Sequence, residues 1–217
     1  MDVLQVNKGV AMRGGKLEER LYLYDCEGLQ VEKTDMPDMD QLIARHKSRY
    51  HLGAFLARPG MKVLDFPCGS GYGSELFEDV DYHGMDYDET TIEYAKKFYG
   101  NNFSVNDLTN PKISGSYDLI LCVDGPEHIE MKYQAPLIET FYHSLNPGGT
   151  LLISMPEAKD SGPSPVNPYH LCELDFMDFC GLLYTQFDDV QIITHEDTLH
   201  NGVKSTCIYA IARRGND

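Results

Sequence analysis

Met61-Lys-Val-Leu-Asp65-Phe-Pro-Cys-Gly69-Ser-Gly71-Tyr-Gly73-Ser74 decides how the chain folds. An apolar run ends in an acid, passes through three glycines at alternate positions, and leads into an amphipathic stretch. Glycine is needed where backbone bends sharply or approaches a ligand with no Cβ in the way. A helix that starts just after such a turn offers unbonded N–H groups to an anion or polar ligand. Two nucleotide-binding patterns compete for the segment, and neither fits. A dinucleotide loop G-x-G-x-x-G counted from Gly69 needs glycine where Ser74 stands. A phosphate loop needs Gly-Lys-Ser/Thr, a tripeptide the chain lacks.

Outward from that turn, apolar runs at 62–66, 82–85, 102–105, 117–123 and 150–155 predict strands. Helical spacing covers 40–57, 72–77, 89–99 and 127–145. Strands alternating with helices imply a parallel sheet covered on both faces, because parallel neighbours need crossovers. Asn146-Pro-Gly-Gly149 stops a helix and turns into the fifth strand. The Pro/Gly/Ser-rich stretch 156–168 is too long for a plain connector and predicts a lid. A helix over 173–183 follows. The apolar runs 190–194 and 206–212, joined by a polar stretch, predict an antiparallel hairpin. The first 38 residues read as polar and irregular, so the chain divides into an arm or cap, 1–45, and one domain, 46–217.

Composition narrows the function. The 217 residues, 42% hydrophobic and 24% charged, suit one α/β domain with a modest addition. Eighteen basic against 34 acidic residues leave a charge of −16, which repels a polyphosphate, and no run of five basic residues exists. Long nucleic acid is therefore not an expected partner. No apolar run approaches the ~20 residues of a membrane span, and the first residues carry no leader pattern. The six cysteines are scattered without a Cys-x-x-Cys pair, and Cys122 lies inside an apolar run. Buried thiols of that kind fit a reducing compartment, so a cytoplasmic location is expected. Whether copies of the chain form a homo-oligomer stays open.

An acid four residues ahead of G-x-G-x-G resembles motif I of the class I S-adenosylmethionine-dependent methyltransferases. Further segments resemble that family in order: Tyr82-His-Gly-Met-Asp86, whose acid lies 21 residues after Asp65; Asn106-Asp107-Leu108; Asp124-Gly-Pro-Glu127-His128-Ile129; and Leu145-Asn-Pro-Gly-Gly-Thr-Leu-Leu-Ile153. The resemblance implies a Rossmann-like fold: a seven-stranded, mostly parallel sheet with an antiparallel last strand and an N-terminal helical cap. It also implies S-adenosyl-L-methionine as cofactor and S-adenosyl-L-homocysteine as product. Asp65 would hold the cofactor's amino group, directly or through water, with Gly69, Gly71 and Gly73 against its methionine and ribose. Asp86, followed by Tyr87, would accept from the ribose hydroxyls. Val123 would line the cofactor at the end of the fourth strand. Asp107 would either meet the adenine amino group or cap its own turn. Pro67, where the family usually has glycine, removes one backbone donor from the loop.

His46-Lys-Ser-Arg49-Tyr50 resembles the H-x-x-R-Y of bacterial methyltransferases acting on glycans and other small molecules. There the Arg, assisted by the Tyr, binds the cofactor's carboxylate, which assigns that task to Arg49 and Tyr50; the alternative is a surface Arg beside a core Tyr. Asn167-Pro-Tyr-His170-Leu-Cys-Glu173 resembles the N-P-Y-H-x-x-E near the acceptor pocket of the same group. The cofactor arrives activated, so the enzyme aligns donor and acceptor and removes a proton. Histidine suits that proton. His128 or His170 is the expected base, with Glu127 or Glu173 orienting it; helix capping by Glu127 and a core position for His128 are the structural alternative. The expected acceptor is a small molecule bearing a hydroxyl, a sugar or sugar-like metabolite.

Two other functions compete. Asp124, Glu127 and His128 share a face if a helix starts early, and with His170 they make a donor set for Mg²⁺ or Mn²⁺. This is similar to the metal site of RNA 3′-terminal 2′-O-methyltransferases. Asp124 stands there for a glutamate, and Gly125-Pro126 distorts the helix start, so no metal is assigned. The last reading is a non-catalytic protein that only binds the cofactor.

Overall fold

The computed structural model describes residues 5–7, 10–13, 16–22, 37–100, 102–198 and 204–216. Three short strands open the chain, β1 (Gln5–Asn7), β2 (Val10–Arg13) and β3 (Lys16–Leu21), paired antiparallel in that order. The arm is thus not irregular where it is described, which corrects the reading from sequence. Its strands are short and mix charged with apolar residues, so alternation is weak. The remainder of the arm, 23–36, lies outside the described residues. Tyr22 is fully buried, its ring edge-on to Tyr94 and its hydroxyl 3.0 Å from Thr91 Oγ1.

Helix α1 (Pro37–Leu56) begins earlier than its apolar spacing suggests, on a proline whose missing N–H costs nothing in the first turn. The strands β4 (Lys62–Asp65), β5 (Asp81–Asp86), β6 (Phe103–Val105), β7 (Tyr117–Val123), β8 (Leu145–Pro156), β9 (Asp189–Thr198) and β10 (Lys204–Arg213) form one sheet in the order β6-β5-β4-β7-β8-β10-β9. Pairing is parallel from β6 through β8, and β10 is antiparallel to both neighbours. This is the expected seven-stranded, mostly parallel sheet with its last strand reversed. From β4 the chain builds outward one way through β5 and β6, then returns to build the other way through β7 and β8. The order reverses between β4 and β7, and ligands bind outside the carboxyl ends of strands at such a switch point.

Helix α2 (Glu89–Tyr99) falls where expected, and Asp88 caps it by accepting the Thr91 N–H at 2.8 Å. The helix predicted over 127–145 is broken: Pro126–His128 form one 3₁₀ turn, Ile129 is extended, and α3 (Met131–Ser144) starts afresh. Asn146 to Gly149 are not a separate turn but extra length in β8, taken up between the pairs Tyr117↔Leu145 and Leu119↔Thr150. Helix α4 (Phe176–Tyr184) starts later than predicted because Asp175 caps it, accepting the Asp178 N–H at 2.9 Å. The hairpin is longer than its apolar runs, pairing from Thr198↔Lys204 to Asp189↔Arg213.

Strand alternation sends Leu119, Leu121 and Val123 to a core shared with Tyr50, Ile92, Ala95 and Phe103 on one face. Ile120 and Cys122 go to the other face, with Leu137, Phe141, Phe179 and Leu183. Cys68, Cys122, Cys172, Cys180 and Cys207 are free thiols, and burial pushes the Cys122 thiol well up, which keeps it protonated. Among the described residues no helix is long and apolar enough to cross a membrane. Phe141 is fully buried, edge-on to Phe66 at 6.3 Å. Phe141→Ala is expected to lower unfolding free energy by about 3–5 kcal/mol in urea titration; a loss under about 1 kcal/mol would show that α3 is not packed as described.

Candidate functional site

The turn after β4 uses its glycines for different reasons. Gly69 has φ +53° with open space where a Cβ would stand, so the requirement is conformational. A Cβ on Gly71 would lie 2.9 Å from Ala95, and one on Gly73 would lie 2.5 Å from the Tyr50 ring. Gly73 is needed for packing, and Gly71, with φ +88°, for both packing and conformation. The turn leads into a five-residue 3₁₀ helix, Tyr72–Leu76, rather than a full α-helix.

Asp65 ends β4 with no solvent access. Its Oδ1 accepts from the Tyr50 hydroxyl at 3.4 Å, and its Oδ2 accepts from the Tyr82 hydroxyl. Burial pushes its carboxyl up to about 8, against the opposing pull of those two hydroxyls. Tyr50 is thus a core residue whose hydroxyl is engaged by Asp65. Asp86, 2% exposed, accepts the Gly69 N–H at 3.1 Å and the Asp88 N–H at 3.0 Å. The acid ending β5 thus clamps the glycine turn to its neighbouring strand. Tyr87 beside it is exposed, and Val123 is buried at the end of β7. Asp107 caps its own turn, accepting from Thr109 N and Oγ1 at 2.8 and 2.9 Å.

Arg49 is not a surface residue: it is 8% exposed and its Nη1 donates to Asp124. Asp124 follows β7 with φ +47°, an uncommon conformation that aspartate tolerates better than most residues. Its N–H points to Ser154 O at 3.1 Å, and its Oδ1 accepts from Ser154 Oγ at 3.0 Å. The pairing removes Asp124 from the four-residue donor set proposed on helical spacing, because a 3₁₀ turn, not an α-helix, follows it.

The remaining three residues do converge. Glu127, 1% exposed, and the rings of His128 and His170 place donor atoms within 4.8 Å of one another. The rings are 5.0 Å apart and nearly perpendicular. His128 Nδ1 lies 3.1 Å from Tyr169 O, and His170 Nδ1 lies 2.6 Å from Glu173 Oε1. A carbonyl or carboxylate oxygen only accepts, so each Nδ1 carries hydrogen, and each ring when neutral has its lone pair on Nε2. Three hydrogen bonds set this geometry: Cys172 N donates to Glu127 O at 3.1 Å, and the Gln134 side chain donates from Nε2 to both Pro126 O and Cys172 O. One carboxylate and two imidazoles could take a proton or hold a divalent ion.

The structure adds Tyr82, Gln134 and Ser154 to the site. Ser154 left a trace in sequence as the one hydroxyl in the apolar run Leu151-Leu-Ile-Ser154-Met155; the other two left none. A separate cavity of about 450 Å³ lies at the opposite, amino ends of β5 to β7. There both nitrogens of His83 are engaged, by Tyr117 Oη and Ser104 Oγ, and burial lowers its proton affinity.

Residues 38–188 match the model of a family described as a methyltransferase domain. The chain belongs to this family. It is 33% identical over 147 residues to a probable S-adenosylmethionine-dependent methyltransferase of Mycolicibacterium smegmatis, a match covering 64% of this chain and 54% of that one. It is 35% identical over 118 residues to phosphoethanolamine N-methyltransferase 3 of Arabidopsis thaliana, covering 50% and 24%. The matched segments thus span about half or less of those relatives. Among solved structures, Haemonchus contortus phosphoethanolamine N-methyltransferase 2, bound to phosphomonomethylethanolamine and S-adenosylhomocysteine, superposes with TM-score 0.64 at 14% identity, covering 94% and 63%. The N-methyltransferase NodS of Bradyrhizobium japonicum, bound to S-adenosylhomocysteine, gives 0.60 at 16% identity, covering 83% and 89%. At these identities the likeness is one of fold.

The buried Asp65 has a pH signature. An acid held at about 8 in the folded chain keeps its proton where the unfolded chain, near about 3.9, has released it. Its contribution to stability is therefore fully present below about 4 and is lost as pH rises through about 8. Asp65→Asn removes this dependence. The stability of the variant relative to the parent should climb between pH 4 and 8 in urea titrations and then level off; a flat difference would place Asp65 in contact with water.

Proposed function

We propose that the chain transfers a methyl group from S-adenosyl-L-methionine to a hydroxyl of a small-molecule acceptor, a sugar or sugar-like metabolite, and releases S-adenosyl-L-homocysteine. The observation that carries this reading is the His170–Glu173 pair facing His128, just past the carboxyl ends of β8 and β7. A neutral amine needs no base to attack a methyl group. A hydroxyl gains a bond while still holding its proton, so it benefits from a base with an oriented lone pair. The acceptor oxygen attacks the methyl carbon in line, the C–S bond breaks with its electrons left on sulfur, and the hydroxyl proton passes to His170 Nε2. Glu173 orients that ring, and Glu127 and His128 form the facing wall.

The cofactor lies across the turn after β4 on this reading. Gly69, Gly71 and Gly73 bring backbone close to it. Asp86 has acceptor capacity beyond its two N–H contacts for the ribose hydroxyls. Tyr87, Asp107 and Val123 border the adenosine. Arg49 meets the methionine carboxylate, and Asp65 is reached through water or by exchange of a tyrosine hydroxyl. The arm, 1–45, and the loop, 156–168, cover the acceptor and keep out water.

A second reading rests on the donor atoms of Glu127, His128 and His170 within 4.8 Å of one another. A divalent ion held by these three would acidify the acceptor hydroxyl in place of a base. Two measurements decide. With S-adenosylmethionine and a panel of polyols, sugars and amines, hydroxyl compounds should yield S-adenosylhomocysteine; turnover of amines alone overturns the hydroxyl assignment. His170→Ala should lower kcat about 10²- to 10⁴-fold with cofactor affinity unchanged. A chelator should leave the rate intact, and a loss restored by Mg²⁺ or Mn²⁺ moves the assignment to the second reading.

A further inference from the structure

Arg49 has a buried guanidinium that is only partly used. Nη1 donates to Asp124, and Nη2 has a thiol, Cys207 Sγ, at 3.8 Å. Nε finds no acceptor among the described residues. A buried donor left in this way is costly unless something else comes to it. The acceptor that best matches a planar Nε–Nη2 edge is a carboxylate, through two parallel hydrogen bonds.

We propose that Asp124 is the residue that positions this edge, holding Arg49 by its far amino group so that Nε and Nη2 face the carboxylate of the cofactor. The proposal rests on the reading of Arg49 given above and adds the device that aims it. Asp124 is well fixed for the task. Its backbone N–H is bound to Ser154, Ser154 Oγ donates to its Oδ1, and Oδ2 receives Arg49. The left-handed backbone at Asp124 is held by these contacts, and such a conformation persists where its surroundings over-determine it. Asp124 also follows β7 directly, on one side of the crevice where the sheet order reverses. The Arg49 side of that crevice is formed by α1, whose Tyr50 packs on Tyr72 and Gly73 of the glycine turn. The ion pair therefore spans the two walls between which the cofactor's methionine portion lies. A carboxylate on the Nε–Nη2 edge makes Arg49 the bridge between Asp124 and the ligand, with all three groups on one guanidinium plane.

Two probes separate positioning from bulk stability. S-adenosylhomocysteine carries the carboxylate; 5′-deoxy-5′-methylthioadenosine keeps the adenosine and thioether but has no amino-acid portion. Calorimetry on the full chain should show Asp124→Asn weakening S-adenosylhomocysteine about 10- to 100-fold while methylthioadenosine changes less than about twofold. Arg49→Lys should show the same selectivity. Equal weakening of both probes by Asp124→Asn, or no weakening, overturns the proposal while a selective Arg49→Lys leaves the Arg49 reading standing. A non-selective Arg49→Lys removes that reading and this one with it. If Asp124→Asn does not fold, Ser154→Ala serves: it deletes one bond to the Asp124 carboxylate and should cost about threefold on S-adenosylhomocysteine alone, and an absence of that selective loss overturns the proposal.

Discussion

A carboxyl group with no access to water ends the first strand of the main sheet, and the crevice is arranged around its needs. Asp65 is met by hydroxyls from two directions, Tyr50 on α1 and Tyr82 on β5. A buried carboxylate without partners would cost several kcal/mol. The hydroxyls offset part of that cost, and keeping the proton, with the carboxyl at about 8, offsets more. The arrangement locks α1, β4 and β5 together just where the glycine turn leaves the sheet. Gly73 must then lack a side chain because the Tyr50 ring occupies the space. Asp86 completes the clamp from the next strand by holding the Gly69 N–H.

The sheet was legible because its central strands are buried on both faces and read as apolar runs. The arm was not. Val10–Arg13 and Lys16–Leu21 are too short and too charged to show a period of two. The start of α3 was misplaced because Glu127 and His128 fit its helical spacing, whereas they belong to a separate 3₁₀ turn and Ile129 is extended before the helix begins. The same break explains the fate of Asp124. Spacing of i, i+3 and i+4 puts residues on one face only if the backbone is α-helical, and a 3₁₀ turn sends Asp124 to Arg49 instead. Glu127, His128 and His170 were singled out because carboxylate and imidazole are chemically conspicuous past strand ends, and the three do converge. Gln134 and Tyr82 were not, since their partners lie far along the chain and nothing local marks a buried amide or hydroxyl as a tie.

The proline-rich stretch 156–168 earns a different description from that of a free lid. Gly162 and Glu173 exchange both backbone hydrogen bonds at 2.9 Å, Ser164 N donates to His170 O, and Asp175 N donates to Ser161 Oγ. The loop is stitched to the segment that carries His170. Together with Gln134 beneath, these ties fix the backbone on both sides of the imidazole, and Glu173 fixes the ring. Precision at His170 comes from a loop, which is unusual, and it is bought by making that loop half of a small pairing rather than a tether.

Charge gives the site a direction. Asp86, Asp124 and Glu127 gather at the strand ends of a chain that already carries a net −16, with the single buried guanidinium described there, Arg49, set against Asp124. Such a crevice favours a cation on its axis. On the proposed reaction the cofactor arrives as a sulfonium and leaves as a neutral thioether, so the field that draws in the donor has less hold on the product. The zwitterionic end is the same in both, so Arg49, placed as proposed, would treat them alike. On the proposed reaction, discrimination between donor and product would thus belong to the acids and register to the guanidinium. On that reading, the arginine kept in the core of a strongly acidic protein spares the methionine carboxylate a site of its own sign.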